Sequence, residues 1–252
     1  MSLLVAENLS ASFGGVKAVR DLSFSVEPGE VFSIVGPNGA GKTTVFNLIS
    51  RIYDLDQGAI AFDGRNITGL PAHAIAEIGI ARTFQNTELF ERETVLKNLL
   101  IGCHIHRRSN LLSELFFLPS VRRGELALRE SVEDVIDLLD LQSYRDKPIS
   151  ELPFGARKMV EIARALCLRP RLLLLDEPSS GLNPEETEDL SFWLEDINEG
   201  LGVTVMMVEH DMNLVSRASS RVLAMADGAL ITIGTPSEVQ SHPQVQRAYL
   251  GD

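Results

Sequence analysis

Gly36, Pro37, Asn38, Gly39, Ala40, Gly41, Lys42, Thr43 and Thr44 run consecutively and place glycines, a lysine and hydroxyls at the spacing G-x-x-x-x-G-K-[ST]. A phosphate chain can enter such a loop only where main-chain N–H groups approach it closely, which Gly36 and Gly41 permit. Lys42 then neutralises the outer phosphates and the Thr43 hydroxyl suits a magnesium shell. Far along the chain, LLLLDEP ends an apolar run in Asp176 and Glu177. A carboxylate at a strand end can hold the shell of a nucleotide-bound Mg²⁺, and the next can orient and deprotonate an attacking water. Gln85 in IARTFQN and His210 in VMMVEHDM also close apolar runs. Ligands of open α/β sheets gather outside the carboxyl ends of strands, so both belong with Lys42 and Asp176.

A second anion site is written differently. In ELPFGARKMVEIARAL, from Glu151 to Leu166, a helix begins without a Ser, Thr, Asp or Asn cap and without acidic residues in its first turn. Pro153 and Phe154 precede Gly155, and Arg157 and Lys158 add positive charge where the helix dipole already places about half a unit. Such a helix start awaits an anion from elsewhere.

These residues need a scaffold that presents strand ends. VFSIV (31–35), LLLLD (172–176) and VTVMMV (203–208) are short continuous apolar runs, each leading into a loop and a helical pattern, as in a buried parallel sheet. LLVAENLSASF, LSFSVEPGE and GAIAFDG alternate instead, which predicts antiparallel strands near the N-terminus. From about residue 86 to 168 the pattern is helical, in VLKNLLIG, ELALRESVEDVIDLLDL and KMVEIARAL. RVLAMADGALITIG predicts a hairpin turning at Asp227 and Gly228, followed by a short C-terminal helical segment. The basic and apolar stretch at 104–123 either packs locally as a helical hairpin or touches a membrane partner.

Composition narrows the function classes. The 252 residues carry 23 basic and 35 acidic side chains, a formal charge of -12, which argues against a general nucleic-acid coat. Hydrophobic residues make up 44%, a globular proportion, yet no apolar run approaches a membrane span, so a soluble chain is expected. Cys103 and Cys167 lack metal-ligand spacing and read as buried reduced thiols.

The ordered set Phe13, GPNGAGKTT, Gln85, LPFGA, LLLLDEP, SSGLNP and His210 resembles the nucleotide-binding subunit of an ABC transporter over nearly the whole chain. The resemblance implies an α/β P-loop NTPase fold of the ABC type: a mixed sheet core with an antiparallel β subdomain and an inserted helical subdomain. One domain over 1–252 is expected, with a core at about 1–85 and 169–235, the helical insert at about 86–168 and a C-terminal segment at about 236–252. It also implies ATP and Mg²⁺ as cofactors, Phe13 stacking on adenine, the loop from Gly36 to Thr44 on the phosphates, and Thr43, Gln85 and Asp176 around Mg²⁺. Glu177, His210, Gln85 and Lys42 then carry the catalytic roles. LPFGA stands where the family has Leu-Ser-Gly-Gly-Gln, so Gly155 would meet the γ-phosphate held by an opposing subunit. Only Leu152 and Gly155 fit that signature. Pro153 removes a hydroxyl and an N–H, leaving the helix dipole, with Arg157 as a further aid.

ARTFQNTELFERETVLKNLL, LPSVRRGE, GARKMVEIARAL, EPSSGLNPEET, VEHDMNLV and RAYLGD look like the ATPase of branched-chain amino-acid importers. That group implies a second, different ATPase subunit, two permease subunits, an external solute-binding protein and a place on the cytoplasmic face of the inner membrane. A related amino-acid, amide or urea importer, a soluble ABC ATPase of nucleic-acid repair or translation, and a non-hydrolysing interaction module are the alternatives. Absent coiled-coil arms weigh against the second, and intact Glu177 and His210 against the third.

Overall fold

The computed structural model describes residues 1–83, 89–103 and 119–250. Gln85 and most of the 104–123 stretch lie outside them. In chain order the elements are β1 (Leu4–Phe13), β2 (Val16–Val26), β3 (Val31–Val35), α1 (Lys42–Ile49), β4 (Gln57–Phe62), β5 (Arg65–Asn66), α2 (Ala72–Glu77) and β6 (Ile80–Arg82). There follow α3 (Val95–Gly102), α4 (Pro119–Leu138), α5 (Phe154–Leu166), β7 (Leu172–Asp176), α6 (Pro184–Glu195), β8 (Thr204–Val208) and α7 (Met212–Ala218). β9 (Arg221–Ala226), β10 (Ala229–Gly234), α8 (Pro236–Ser241) and α9 (Pro243–Leu250) complete the chain.

The chain divides into two compact units, Met1–Arg82 with Arg171–Asp252, and Thr83–Pro170. In the first, a six-stranded sheet has the order β10-β9-β3-β8-β7-β6. β3 runs parallel to both β8 and β9, and β7 parallel to β8 and β6, while β10 pairs antiparallel with β9. All five residues of β3, β7 and β8 are buried, as their uninterrupted apolar runs require of strands covered on both faces. Parallel alignment brings the carboxyl ends of β3, β7 and β8 side by side, so the residues following them share one edge.

A four-stranded antiparallel sheet, β2-β1-β4-β5, packs in the same unit. Leu4, Leu9, Leu22 and Ile60 from this sheet share one core with Phe32, Phe46, Leu48 and Met225. β9 and β10 meet at Asp227 and Gly228, whose φ of 49° and 78° suit the left-handed pair of a two-residue hairpin. Of the helices, α6 has a complete start: Asn183 accepts from Glu186 N–H, and the Glu186 carboxylate accepts from Asn183 N–H.

The second unit is helical. Gly102 near the end of α3 lets α5 come close, since a Cβ there would lie 2.7 Å from the Arg164 carbonyl oxygen. The buried Cys103 and Cys167, beside that approach, hydrogen-bond thiol to thiol. That bond and burial push the Cys167 thiol well above its ordinary value. Asn98 of α3 is fully buried and binds the preceding segment, accepting from Phe90 N–H at 2.8 Å and donating to the Phe90 and Thr94 carbonyls.

Candidate nucleotide site

The phosphate loop joins β3 to α1. A Cβ at Gly36 would lie 2.1 Å from the Met225 carbonyl oxygen, and one at Gly41, where φ is +98°, would lie 2.3 Å from that of Ala18. Both positions exclude a side chain, and the loop is held bare by its packing on β2 and β9. Pro37, Asn38 and Gly39 form its outer bend, and Ala40 is tucked into the core. Thr43 is exposed on the first turn of α1 and Thr44 half-buried beside it.

Lys42 lies under the loop, only 6% exposed, with Nζ donating to the Gly36 and Pro37 carbonyls at 2.7 and 3.0 Å. Burial lowers its pKa from the ordinary lysine value, and the nearby charges of Glu177 and Asp176 pull it back up. Those influences bring Lys42 within electrostatic reach of Asp176 and Glu177, far from it in sequence. Tyr249 of α9 reaches the same loop through a hydrogen bond with the Gly36 main chain.

Asp176 ends β7 and is 3% exposed. Its Oδ2 accepts from Arg82 at 2.9 Å. Arg82 ends β6 and also donates to Asn47 Oδ1 and Ser50 Oγ of α1 and its cap, at 2.7 and 2.8 Å. Its guanidinium carbon lies 5.6 Å from the Phe46 ring centre. Burial pushes the Arg82 pKa down and Asp176 raises it. One buried guanidinium thus braces the strand-end carboxylate against the helix that opens with Lys42. Glu177 follows in a left-handed backbone, φ 49°, with its N–H donating to the Val208 carbonyl at 2.9 Å.

His210 stands just beyond β8, its side chain 55% exposed. The residue before it, Glu209, is completely buried. Phe13 closes β1 and is 43% exposed, its ring centre 4.8 Å from that of Tyr53. The first unit therefore brings together the loop from Gly36 to Thr44, Asp176, Glu177 and His210. Gly155 belongs to the other unit, buried in the first turn of α5, behind the 55% exposed Phe154. No side chain caps that helix and no acid lies in its first turn. The Arg157 guanidinium donates to the Leu152 and Ser150 carbonyls at 3.0 and 2.9 Å, bracing the preceding loop.

Arg82, Glu209 and Tyr53 escaped the sequence reading. The first two announce themselves only as charged residues abutting apolar runs, in IAR and VMMVE, a signal that gains meaning once burial is known. Oxygen donors at Thr43 and Asp176 are the hard ligands magnesium prefers, so these residues fit the ion.

A phosphate loop at the carboxyl edge of a mixed sheet, with an acidic pair at the end of another strand of that sheet, defines a P-loop ATPase of the cassette type. The ABC transporter family model matches residues 19–180, and the chain belongs to that family of transporter ATPases. A second family model, of the branched-chain amino acid ATP-binding cassette transporter, matches residues 229–252. The chain is 41% identical over 250 residues to the high-affinity branched-chain amino acid transport ATP-binding protein BraF of Pseudomonas aeruginosa, covering 99% of this chain and 98% of that one. It is 37% identical, with the same coverage, to LivG of Escherichia coli, which bears the same description. Among solved structures, an ATP-binding cassette of an ABC transporter in its ADP conformation aligns with TM-score 0.87 and 32% identity, each chain covered over 100% of its length.

Proposed function

We propose that this chain binds MgATP and hydrolyses it as one of two unlike ATPase subunits that drive an importer of branched-chain amino acids. The observation that carries the reading is that the loop leading from β3 to Lys42 and the end of β7 with Asp176 and Glu177 open on the same edge of one parallel sheet. The main chain from Gly36 to Thr44 cradles the phosphates, with Lys42 exchanging loop carbonyls for phosphate oxygens. Thr43, Asp176 and Gln85 hold Mg²⁺, which when bound neutralises charge on the transferred phosphoryl group. Glu177 orients water and takes its proton, while Lys42 and His210 stabilise the developing charge. Phe13 provides the face for adenine. Gly155, at a helix start without an acid, meets the γ-phosphate held by the partner ATPase.

In this reading residues 1–252 are one ABC ATPase domain: a core of about 1–85 and 169–235, a helical part of about 86–168 and a C-terminal segment of about 236–252. Among the described residues no helix is long and apolar enough to cross a membrane. Attachment to the cytoplasmic face of the inner membrane then runs through two permease subunits, and an external solute-binding protein delivers the cargo. The BraF and LivG similarities over nearly full length support the choice of solute. The test is Glu177→Gln. MgATP binding should persist while phosphate release falls by about 100-fold or more, the range of a lost general base; near-wild-type release would refute the assignment.

A further inference from the structure

Glu209 has no part in the roles assigned above, yet its side chain is the most fully committed polar group around them. It is 0% exposed. Oε1 accepts from Ser179 N–H at 2.8 Å, and Oε2 accepts from its neighbours His210 and Asp211, at 2.9 and 3.2 Å. The same Oε2 lies 3.9 Å from His210 Nδ1. Ser179 sits two residues after Glu177, and Ser180 N–H donates to the Glu177 carbonyl at 3.1 Å, so this turn carries the proposed base. The Val208 carbonyl accepts from Glu177 N–H, and Glu209 N–H donates to the Ile34 carbonyl at 3.2 Å, where the strand before the phosphate loop is about to end.

We propose that Glu209 is a positioning residue for hydrolysis, fixing the turn that bears Glu177 and the turn that bears His210 to a single buried carboxylate. The inference rests on the roles proposed for Glu177 and His210. Its physical basis is the need to hold base and charge-stabilising group in one geometry; errors near 1 Å lower turnover by about 100-fold. Hydrogen bonds that share a charged acceptor are stronger and shorter than neutral ones, so three donors on one carboxylate make a stiff joint between segments 30 residues apart. Nucleotide binding runs through the loop and Lys42, which this joint does not touch.

Glu209→Gln isolates the effect. An amide accepts on one side only and must turn its NH₂ toward the other donors. Keeping the two bonds to His210 and Asp211 puts that NH₂ against Ser179 N–H and cuts the link between the turns. In steady-state hydrolysis by the full chain within its transporter complex, kcat should fall about tenfold, as expected for one lost charge-assisted bond, with KM for MgATP within about twofold. Placed in a Glu177→Gln background, the same change should lower kcat by less than about threefold, because the base carried by the severed turn is already gone. Unchanged kcat, a parallel rise in KM, or a full tenfold loss repeated in the Glu177→Gln background would each overturn the proposal. Should Glu209→Gln not fold, Glu209→Asp keeps the charge, shortens the reach and must give the same split between kcat and KM. If neither folds, Glu209 serves the fold alone and the proposal fails. Glu177→Gln and His210→Ala, assayed singly, keep the two readings apart: wild-type turnover in both would remove the site assignment whatever Glu209 does.

Discussion

At the scale of single residues, buried charge decides what the site can tolerate. Arg82 and Asp176 have side chains only 6% and 2% exposed, and each counters the desolvation of the other. Removing the cation leaves the buried carboxylate without its guanidinium partner. Arg82→Met should lower unfolding stability by about 3 kcal/mol, readable from the denaturant midpoint. The places of Lys42, Asp176 and Glu177 at or just beyond the ends of apolar strands were legible in the sequence because the glycine spacing and the LLLLD run mark strand ends. Arg82 and Glu209 were not, because their work lies in bonds to Asn47, Ser50 and Ser179, which no local pattern ties to them. Arg157 could be read only as a charge at a helix start; its bonds to the Ser150 and Leu152 carbonyls are a tertiary detail that no local pattern announces.

At the scale of elements, the strands that carry the site could be read because continuous apolar runs and strict alternation leave little choice. VFSIV and LLLLD became β3 and β7 at those bounds, and Asp227 with Gly228 became the turn between β9 and β10. β5 and β6, of two and three residues, are too short for any period to register, and β6 exists because β7 offers it a parallel edge. In the helical unit, Arg145 grips Glu133 of α4, with Nε 3.0 and 2.9 Å from its two oxygens. The hydrogen bond and charge of Arg145 hold the Glu133 carboxyl below its ordinary value. A depressed carboxyl contributes stability that is whole above the ordinary glutamate range and is lost as pH falls through its folded value. Unfolding curves of wild type and Glu133→Gln should therefore differ at neutral pH and converge in acid. Because both side chains are about a third exposed or more, the gap should be small and shrink in salt.

At the scale of the whole molecule, the two surfaces proposed to face nucleotide are unequal. The first unit presents the loop from Gly36 to Thr44 with Asp176, Glu177 and His210, whereas the α5 start carries Pro153 and has no side-chain cap. The heterodimer proposed above rests on that imbalance, its partner being a cassette whose signature is complete. Glu177→Gln protein with MgATP should remain monomeric or dimerise weakly in sedimentation, while its mixture with such a cassette should form a stable pair; a tight homodimer would contradict this. The left-handed backbone at Glu177 has a wider bearing. That conformation disfavours a side chain of this length by about 1 kcal/mol, and asparagine accepts it more readily. Glu177→Asn should accordingly melt about 2 °C higher while hydrolysing almost nothing. Heat resistance and turnover pull this position in contrary directions, so a library screened only for survival of heating would be expected to enrich inert cassettes.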